Sequence, residues 1–550
     1  MARWRVSLLT PALLLLAATW PSGAGRTFHD DDPLTRERDT EDASGVQARS
    51  INLAWDELRN TFGRAGDPAA TRALNVNTVD DVPNSSWFTH RVGTVPLTAA
   101  DVARGSDTTE GPVPGRWTVV SAKADGVTPG FTIRDTAGVT WFIKFDPPGH
   151  PELATGAEVV ATTLFWALGY HVPENHIASL RPEHLELADA LQLALGPRRT
   201  RRMTIGDIHR LLRRAARNAD GTYRVLASRA LEGTPLGGFL YQGTRPDDPN
   251  DVVPHEHRRE LRALRVFGAW LNHVDAKAIN TLDTLIEGEG QAFVRHHLID
   301  FGSTLGSAAL KPREYDEGHE YVFEGRKLAQ RLMPPGLPIP SWRRITYPRF
   351  RAIGNIEADH FDPATWKTRV PNPAHRQMRV DDAFWAARKV MAISDQMIDA
   401  AVARARYSDP TAAAYLTRTL ARRRDRIGAR YLPLLNPVVD PAFDGTTLTF
   451  VNAAVEADVA SAPRAYATDW YAFDNDTGKS SLIASAVTGR AGQVHAPAGV
   501  PRGTGTFVRV DIAAVDPPVA AWRAPVRVYF RSGGAMWTLA GLERLAEQRP

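Results

Sequence analysis

Residues 271–283 read LNHVDAKAINTLD, and this stretch decides how the rest of the chain is interpreted. It places Asp275, Lys277 and Asn280 within six residues, directly after a segment with the apolar periodicity of an amphipathic helix. Because Asn280 follows Asp275 by only five residues, a tight loop can turn an acid and an amide toward one bound group. The stretch therefore predicts a loop that carries chemistry.

Three further polar residues lie in predicted elements on either side of this loop. The sequence WFIK ends a predicted strand at Lys144, and Glu158 lies on the helix predicted next. After the loop, the short apolar strand LIDFG at 298–302 brings Asp300 to a position 25 residues beyond Asp275. The order is a strand lysine, a helix glutamate, a polar loop and an Asp-Phe-Gly sequence.

This order resembles that of the protein-kinase-like superfamily. It is nearer to HipA-like and related atypical bacterial kinases than to eukaryotic protein kinases, because Glu158 is followed eleven residues later by Gly169 and then by Val172 and Pro173. No Ala-Pro-Glu motif follows Asp300, so we do not expect a eukaryotic type of activation segment. The resemblance covers roughly residues 116–400.

The resemblance implies an ATP site between the first strands and the following helix. Lys144 would contact the α- and β-phosphates, and Glu158 would hold its amine in place. Backbone amides near Gly126 and Gly130 would cradle the phosphates, although the sequence from Asp125 to Gly130 is shorter than a full glycine-rich motif.

The resemblance also implies the roles of the loop residues. Asp275 would accept or orient the proton of an attacking hydroxyl, and Lys277 would neutralise the transferring phosphate. Asn280 and Asp300 would offer Mg²⁺ the hard oxygen ligands that it prefers. Since a phosphoryl group in transfer spreads negative charge over its oxygens, such catalysis is largely positioning and electrostatics.

Composition supports this interpretation independently. Only eight of the 66 basic residues are lysines, yet positions 144 and 277 both carry one. The planar fork of arginine is a poor substitute for a compact ammonium at such sites. The choice of lysine at both positions therefore favours a kinase-like site.

The element pattern predicts an α+β fold: a two-lobed protein-kinase-like domain followed by an all-β, sandwich-like C-terminal domain. Predicted strands lie at 117–122, 131–135, 140–145, 223–230, 446–452, 465–473, 506–512 and 526–531, and predicted helices at 51–62, 152–168, 185–217, 255–273, 383–405 and 411–431. The predicted divisions are a signal peptide at 1–25, an N-terminal extension at 26–115, a kinase-like domain at 116–436 (lobes of about 116–250 and 251–436) and the sandwich-like domain at 437–550.

The first 25 residues predict export. Arg3 and Arg5 precede an apolar run from Ser7 to Leu16 and a small-residue end at Ala24, the order found in a secretory signal. An uncleaved N-terminal anchor is the alternative. We therefore expect a periplasmic or secreted protein that is not an integral membrane protein, since no later stretch approaches 18 apolar residues.

Composition excludes several classes of function. The chain has no cysteine, which excludes disulfide scaffolds, thiolate zinc sites and cysteine nucleophiles. Its net charge of +4 gives no support for a nucleic-acid partner. The histidines at 255, 257, 296 and 297 could form a metal site, but their ordinary interpretation is structural. The same holds for the acidic loop at 247–251 and the arginine-rich run at 198–217.

The predicted function is an exported phosphotransferase that uses ATP and Mg²⁺ to phosphorylate a hydroxyl of a protein or a small molecule. Two alternatives remain at this point. The chain could be a catalytically silent scaffold of the cell envelope with a kinase fold, because ATP is scarce outside the cytoplasm. It could also use the same fold to transfer AMP.

Overall fold

The computed structural model describes residues 26–63, 71–122, 129–194, 200–288, 290–324, 341–488 and 492–544. Helices make up 26% and strands 25%, which confirms the predicted α+β class. The helices are α1 (Leu53–Phe62), α2 (Ala99–Arg104), α3 (Leu153–Leu168), α4 (Ile205–Leu212), α5 (Arg259–Leu271), α6 (Pro373–Arg376), α7 (Val380–Met391), α8 (Asp395–Ala403), α9 (Pro410–Tyr431) and α10 (Ala453–Glu456). The strands are β1 (Trp117–Ala122), β2 (Gly130–Arg134), β3 (Thr140–Phe145), β4 (Asn175–Leu180), β5 (Leu185–Leu187), β6 (Gln192–Ala194), β7 (Thr200–Arg202), β8 (Tyr223–Arg229), β9 (Thr234–Gly237), β10 (Thr281–Glu287), β11 (Ala292–Leu298), β12 (Val438–Phe443), β13 (Thr447–Asn452), β14 (Ala465–Phe473), β15 (Ser480–Thr488), β16 (Gln493–His495), β17 (Phe507–Val515), β18 (Val526–Ser532) and β19 (Trp537–Arg544).

The first sheet has six strands in the order β4-β8-β3-β2-β1-β5, and its neighbouring strands are antiparallel except for β1 and β5. In β3, the buried side chains of Trp141, Ile143 and Phe145 join a hydrophobic cluster that includes Ile208 of α4. Successive residues of a strand point to opposite faces, so Lys144 lies on the other face of the sheet. There it contacts α3.

Helix α3 is apolar around nearly its whole circumference, and all of its residues except Trp166 are buried. A helix with this pattern packs on all sides. It ends at Gly169, as predicted, with a φ of +120°, and a Cβ atom there would lie 2.2 Å from the ring of Phe88. Glu158 is thus a carboxylate inside a buried helix, where it needs a cation or hydrogen-bond donors.

Strands β10 and β11 form an antiparallel hairpin, and β9 pairs with β10. Thr281 pairs with Leu298 at the open end of the hairpin, so the chain before β10 and the chain after β11 leave side by side. The backbone N–H of Ile299 donates to the carbonyl of Asn280 at 3.0 Å. This pairing brings the loop 272–280 next to Asp300.

Helices α5, α7 and α9 pack together behind this loop. The indole N–H of Trp270 in α5 donates to the carbonyl of Leu420 in α9 at 2.9 Å. The surrounding hydrophobic cluster continues into the C-terminal strands, where it includes Val438 and Trp470. No helix in the described parts of the chain is both long enough and apolar enough to cross a membrane.

The C-terminal strands form a three-stranded sheet, β12-β13-β16, and a five-stranded sheet, β15-β14-β17-β18-β19. All of their paired strands are antiparallel. Phe443 of β12 contacts Trp470 and Phe530 of the larger sheet, with ring centroids 5.5 and 5.6 Å apart. Aromatic side chains thus join the two sheets.

Residues 26–52, which we name the N-terminal strap, are mostly exposed, but Phe28, Ala43 and Val46 are buried. Phe28 lies among aromatic side chains of the larger C-terminal sheet, and Asn475 bonds its backbone on both the N–H and the carbonyl side, each at 2.8 Å. Farther along, the N–H of Ala43 donates to Ala292 of β11, and that of Arg49 donates to Leu236 of β9. The strap therefore runs from the C-terminal sheet to the hairpin of the loop 272–280.

Two predicted helices differ from the structure. The helix predicted over 185–217 is wrong: β5 pairs in parallel with β1, Ala190 takes a left-handed φ of +55°, and only α4 is helical. The helix predicted over 383–405 is divided into α7 and α8, because Ser394 caps the start of a new helix.

Candidate functional site

Lys144 lies between two carboxylates. Its Nζ atom is 3.0 Å from both Oε1 and Oε2 of Glu158 and 2.9 Å from Oδ1 of Asp300. The side chain of Glu158 is 3% exposed, whereas that of Lys144 is 33% exposed. Burial acts to lower the pKa of Lys144, but the two carboxylates outweigh it and hold that pKa above its usual value. Lys144 is thus a fixed, charged ammonium with one side open to solvent.

The structure explains why each of Asp300, Phe301 and Gly302 suits its position. Asp300 takes a left-handed φ of +60°, which aspartate tolerates better than most residues, and its side chain is 54% exposed. Phe301 is fully buried, with its ring 4.8 Å from that of Phe165 in α3. At Gly302, a Cβ atom would lie 3.0 Å from Oε2 of Glu158. The aromatic ring anchors the turn, and the glycine leaves room for the buried acid.

His273 supports the same turn from the loop side. Its ring centroid is 5.6 Å from that of Phe301 and 5.8 Å from that of Phe165. Burial lowers the pKa of His273 to about 4, so the ring is neutral at physiological pH and packs as an aromatic group. The aromatic cluster of Phe165, Phe301 and His273 therefore joins α3 to the loop.

In the loop, Asp275 contacts both of the other predicted residues. The amide Nδ2 of Asn280 donates to the backbone carbonyl of Asp275 at 2.8 Å and to its Oδ2 at 3.1 Å. The Nζ of Lys277 lies 3.0 Å from Oδ1 of Asp275. The N–H of Arg369 donates to the carbonyl of Val274 at 2.9 Å and fixes the loop from behind. The acid, the amine and the amide form one connected group.

The structure brings these two groups to the same end of the β10–β11 hairpin. Lys144, Glu158 and Asp300 form one group and Asp275, Lys277 and Asn280 form the other, and the Ile299–Asn280 backbone bond joins them. Gly130 lies opposite Lys144 in the β2–β3 ladder, where a Cβ atom would be 2.7 Å from the carbonyl of Ile143. Gly126 lies outside the described residues.

Sequence reasoning missed one residue of this site. Glu57 of α1 places its Oε1 atom 2.8 Å from Nζ of Lys277. The helix was predicted, but its contact with a loop 220 residues away leaves no trace in local spacing. Only the polar residues at positions 56, 57 and 60 could have indicated that α1 packs against polar groups.

The other polar clusters of the sequence have structural partners. His255 bonds Asp251 through Nε2 at 2.7 Å, and the Nδ1 of His296 is 2.7 Å from Asp283. Trp87 stacks on His296 with ring centroids 3.5 Å apart. Within the described residues there is no group of three or more histidine, aspartate or glutamate side chains suited to hold a metal ion. His255, His296 and Asp251 therefore each have a partner within the protein.

A cavity of about 680 Å³ does not contain the predicted site. It lies between α7, the segment 79–94 and the C-terminal strands, and none of the six site residues lines it. The candidate site is identified by its charged groups and not by its volume.

No family model, curated protein or solved structure matches this chain. The functional assignment therefore depends on the geometry of the site.

Proposed function

We propose that this chain is an exported, kinase-like phosphotransferase that uses ATP with Mg²⁺ to phosphorylate a hydroxyl of a protein or a small molecule. One observation carries the proposal: Lys144 is held by a buried glutamate and reaches Asp300, next to a loop that joins Asp275, Lys277 and Asn280. Such an arrangement is the one that phosphoryl transfer between oxygen atoms needs.

The side chains fit the proposed group. The carboxylate of Asp300 is half exposed, and the amide nitrogen of Asn280 is turned toward Asp275, which leaves the amide oxygen as its ligand atom. An acid and an amide oxygen are ligands that Mg²⁺ prefers, and it commonly takes one or two protein ligands together with phosphate oxygens and water. Lys144 offers a positive charge beside them. The donor set therefore suits a metal–nucleotide complex.

When bound, ATP with Mg²⁺ would supply the phosphoryl group and neutralise part of its charge. Lys144 binds and orients phosphate oxygens, and Glu158 prevents its ammonium from swinging away. Asp275 accepts a hydrogen bond from the acceptor hydroxyl and then takes its proton. Lys277 stabilises negative charge that develops between donor and acceptor. Each of these roles needs a fixed position more than an unusual pKa.

The proposal includes the finer architecture. The six-stranded sheet with its own hydrophobic cluster supports an N-lobe at about 116–250, and the helices α5 to α9 support a C-lobe at about 251–436. The two C-terminal sheets, joined by Phe443, support a sandwich-like domain at 437–550. In this arrangement Lys144 comes from one lobe and Asp275 and Asp300 from the other.

The test is calorimetric titration of the full-length mature protein with ATP and Mg²⁺. We expect metal-dependent binding that Asp300→Ala weakens at least tenfold, since a metal ligand and a partner of Lys144 are both lost (about 1.4 kcal/mol or more). Asp516→Ala removes an exposed carboxylate paired with Arg464 and serves as the matched control. A folded wild-type protein that binds no nucleotide, or equal binding by Asp300→Ala, would overturn the proposal.

The mass of the reaction product then identifies the group transferred. An acceptor that gains one phosphoryl group supports the proposal. One that gains an AMP moiety would instead show nucleotidyl transfer by the same site.

A further inference from the structure

We propose that Glu57 is a positioning residue that fixes the ammonium of Lys277 beside Asp275, so that helix α1 of the N-terminal extension is a built part of the site. This inference rests on the proposed phosphotransfer function and adds to it a residue that lies outside the kinase-like segment of 116–436.

The first observation is the position of the Lys277 ammonium. It lies 2.8 Å from Oε1 of Glu57 and 3.0 Å from Oδ1 of Asp275, and the Lys277 side chain is only 19% exposed. A lysine side chain has four rotatable bonds and loses much rotamer freedom when it is held. Two carboxylates on different elements hold the amine at one point, whereas Asp275 alone would leave it free to pivot around that acid.

The second observation is that one side of α1 is buried. Asn52 caps its first turn by accepting from the N–H of Trp55 at 3.1 Å. Asp56 and Asn60 are buried, one turn apart, on the face turned toward the protein. Glu57 thus directly follows a buried residue of a capped helix, and its side chain is 34% exposed.

The third observation is the close packing between the strap and the loop. A Cβ atom at Gly238 would lie 2.5 Å from the carbonyl of Ala278 and 3.0 Å from Cδ1 of Ile51. Ile51 lies just before α1. It therefore approaches the loop that carries Lys277 at Gly238. At Gly237, whose φ is +89°, a Cβ atom would clash with the carbonyl of Arg49. Both glycines allow the strap to place α1 against the loop.

The chemical consequence concerns the position of Lys277 beside Asp275. An ammonium held by Asp275 alone could occupy several positions around that acid. With Glu57 as a second partner, the ammonium of Lys277 stays between the base and the incoming phosphate. Removal of Glu57 therefore disturbs both the base and the lysine while it leaves the Lys144 group untouched.

The test compares Glu57→Gln, Glu57→Asp and the control Glu232→Gln, whose carboxylate is 75% exposed and paired with Arg295. The first readout is independent of activity: the pKa of Lys277 in protein with ¹³C-dimethylated lysines, followed by NMR and assigned with Lys277→Arg. Eight lysines give few signals. We expect Glu57→Gln to lower this pKa, because a carboxylate that stabilises the ammonium is lost, and the control to leave it unchanged.

The second readout is slow hydrolysis of ATP, with water as the acceptor. We expect Glu57→Gln to lower the turnover number about 10- to 100-fold, a loss typical of a misplaced group, with the Kd for ATP and Mg²⁺ within about twofold of wild type. Glu57→Asp should recover part of the rate. A merely structural role would change Kd and stability together with the rate.

The outcomes separate the two proposals. If the wild-type protein binds no nucleotide, the proposed function fails, and the NMR titration still shows whether Glu57 holds Lys277. If nucleotide binds but Glu57→Gln leaves the pKa of Lys277 unchanged, or leaves the turnover number unchanged or higher, the positioning role is wrong. A higher rate would show instead that α1 restrains the site.

Discussion

At the scale of single residues, the site uses the same device twice. Lys144 lies between Glu158 of α3 and Asp300, and Lys277 lies between Glu57 of α1 and Asp275. In both cases a helix glutamate and a loop aspartate hold one compact ammonium. Arginine, which supplies most of the positive charge of this chain, would spread its charge over a wider plane and could not be held at one point.

The first of these groups gives a prediction about stability. Lys144→Met should destabilise the fold by about 3 kcal/mol, because it leaves the buried carboxylate of Glu158 without its cation. The double variant Lys144→Met/Glu158→Leu should regain most of this loss, since both charges are replaced by apolar groups. Urea unfolding measures both values. A double variant that is no more stable than the single one would contradict the account.

The sequence alone indicates some of these residues but not Glu57. Lys144, Asp275 and Asp300 are readable because each stands near the end of a predicted element, and Glu158 is readable because it lies on the helix predicted after the Lys144 strand. Glu57 is not readable, since its contact with Lys277 depends on how the strap crosses the hairpin. A contact between distant segments leaves no periodic signal.

At the scale of elements, helix α3 determines where Glu158 lies, and its end is tightly specified. Gly169 stops the helix against Phe88, which is fully buried, and the Phe88–Tyr170 bridge holds the chain that follows. The end of α3 at Gly169 is thus fixed by the side chain of Phe88. Helix α3 cannot slide along its axis without breaking this contact.

Gly169→Ala should therefore cost about 3 kcal/mol of unfolding free energy, from an unfavourable φ together with a clash against a ring that has no space to move. Gly138→Ala is the matched control, because Gly138 has a φ of +80° and no atom within 4 Å of the new Cβ. Its cost should be about 1 kcal/mol, from the backbone alone. Equal effects in denaturant unfolding would show that the Phe88 contact is unimportant.

The elements that were predicted wrongly show where tertiary contacts outweigh local sequence patterns. The leucines near residue 190 have helical spacing, yet Leu185 and Leu193 fill the cluster under the first sheet from short strands. Pairing with β1 and the left-handed turn at Ala190 outweigh helix propensity there. The strands around Lys144 were predicted correctly, because the alternation of apolar and polar residues in β3 agrees with the burial of its side chains.

At the scale of the whole molecule, the N-terminal strap connects the larger C-terminal sheet, the sheet of β9, β10 and β11, and helix α1. It begins in the larger C-terminal sheet, where Gly541 leaves room for the ring of Phe28, and it ends at the start of α1. The ring of Phe28 lies 4.9 Å from that of Tyr529 and 5.9 Å from that of Phe507. The C-terminal sheet thus contacts the beginning of the strap, and the other end of the strap leads into the helix that carries Glu57.

Phe28→Ala should lower the unfolding free energy by about 3 to 4 kcal/mol, through loss of buried aromatic packing. It should also expose the strap to proteolysis, because the anchor at its beginning is lost. Leu34→Ala is the control in the same segment, since its side chain is 43% exposed and should change stability by less than about 0.5 kcal/mol. Equal stability of the two variants in urea would contradict the anchoring role.

The strap also affects the order in which parts of the protein reach their final positions during synthesis. Phe28 leaves the ribosome 447 residues before Asn475, whose side chain hydrogen-bonds the backbone of Phe28. At ordinary rates of synthesis, this interval lasts roughly 20 to 90 s. A nascent chain that already contains every residue from Lys144 to Asp300 still has no C-terminal sheet to receive the strap. The strap is made early but is therefore among the last segments to reach its place, because the C-terminal sheet that receives Phe28 is made much later.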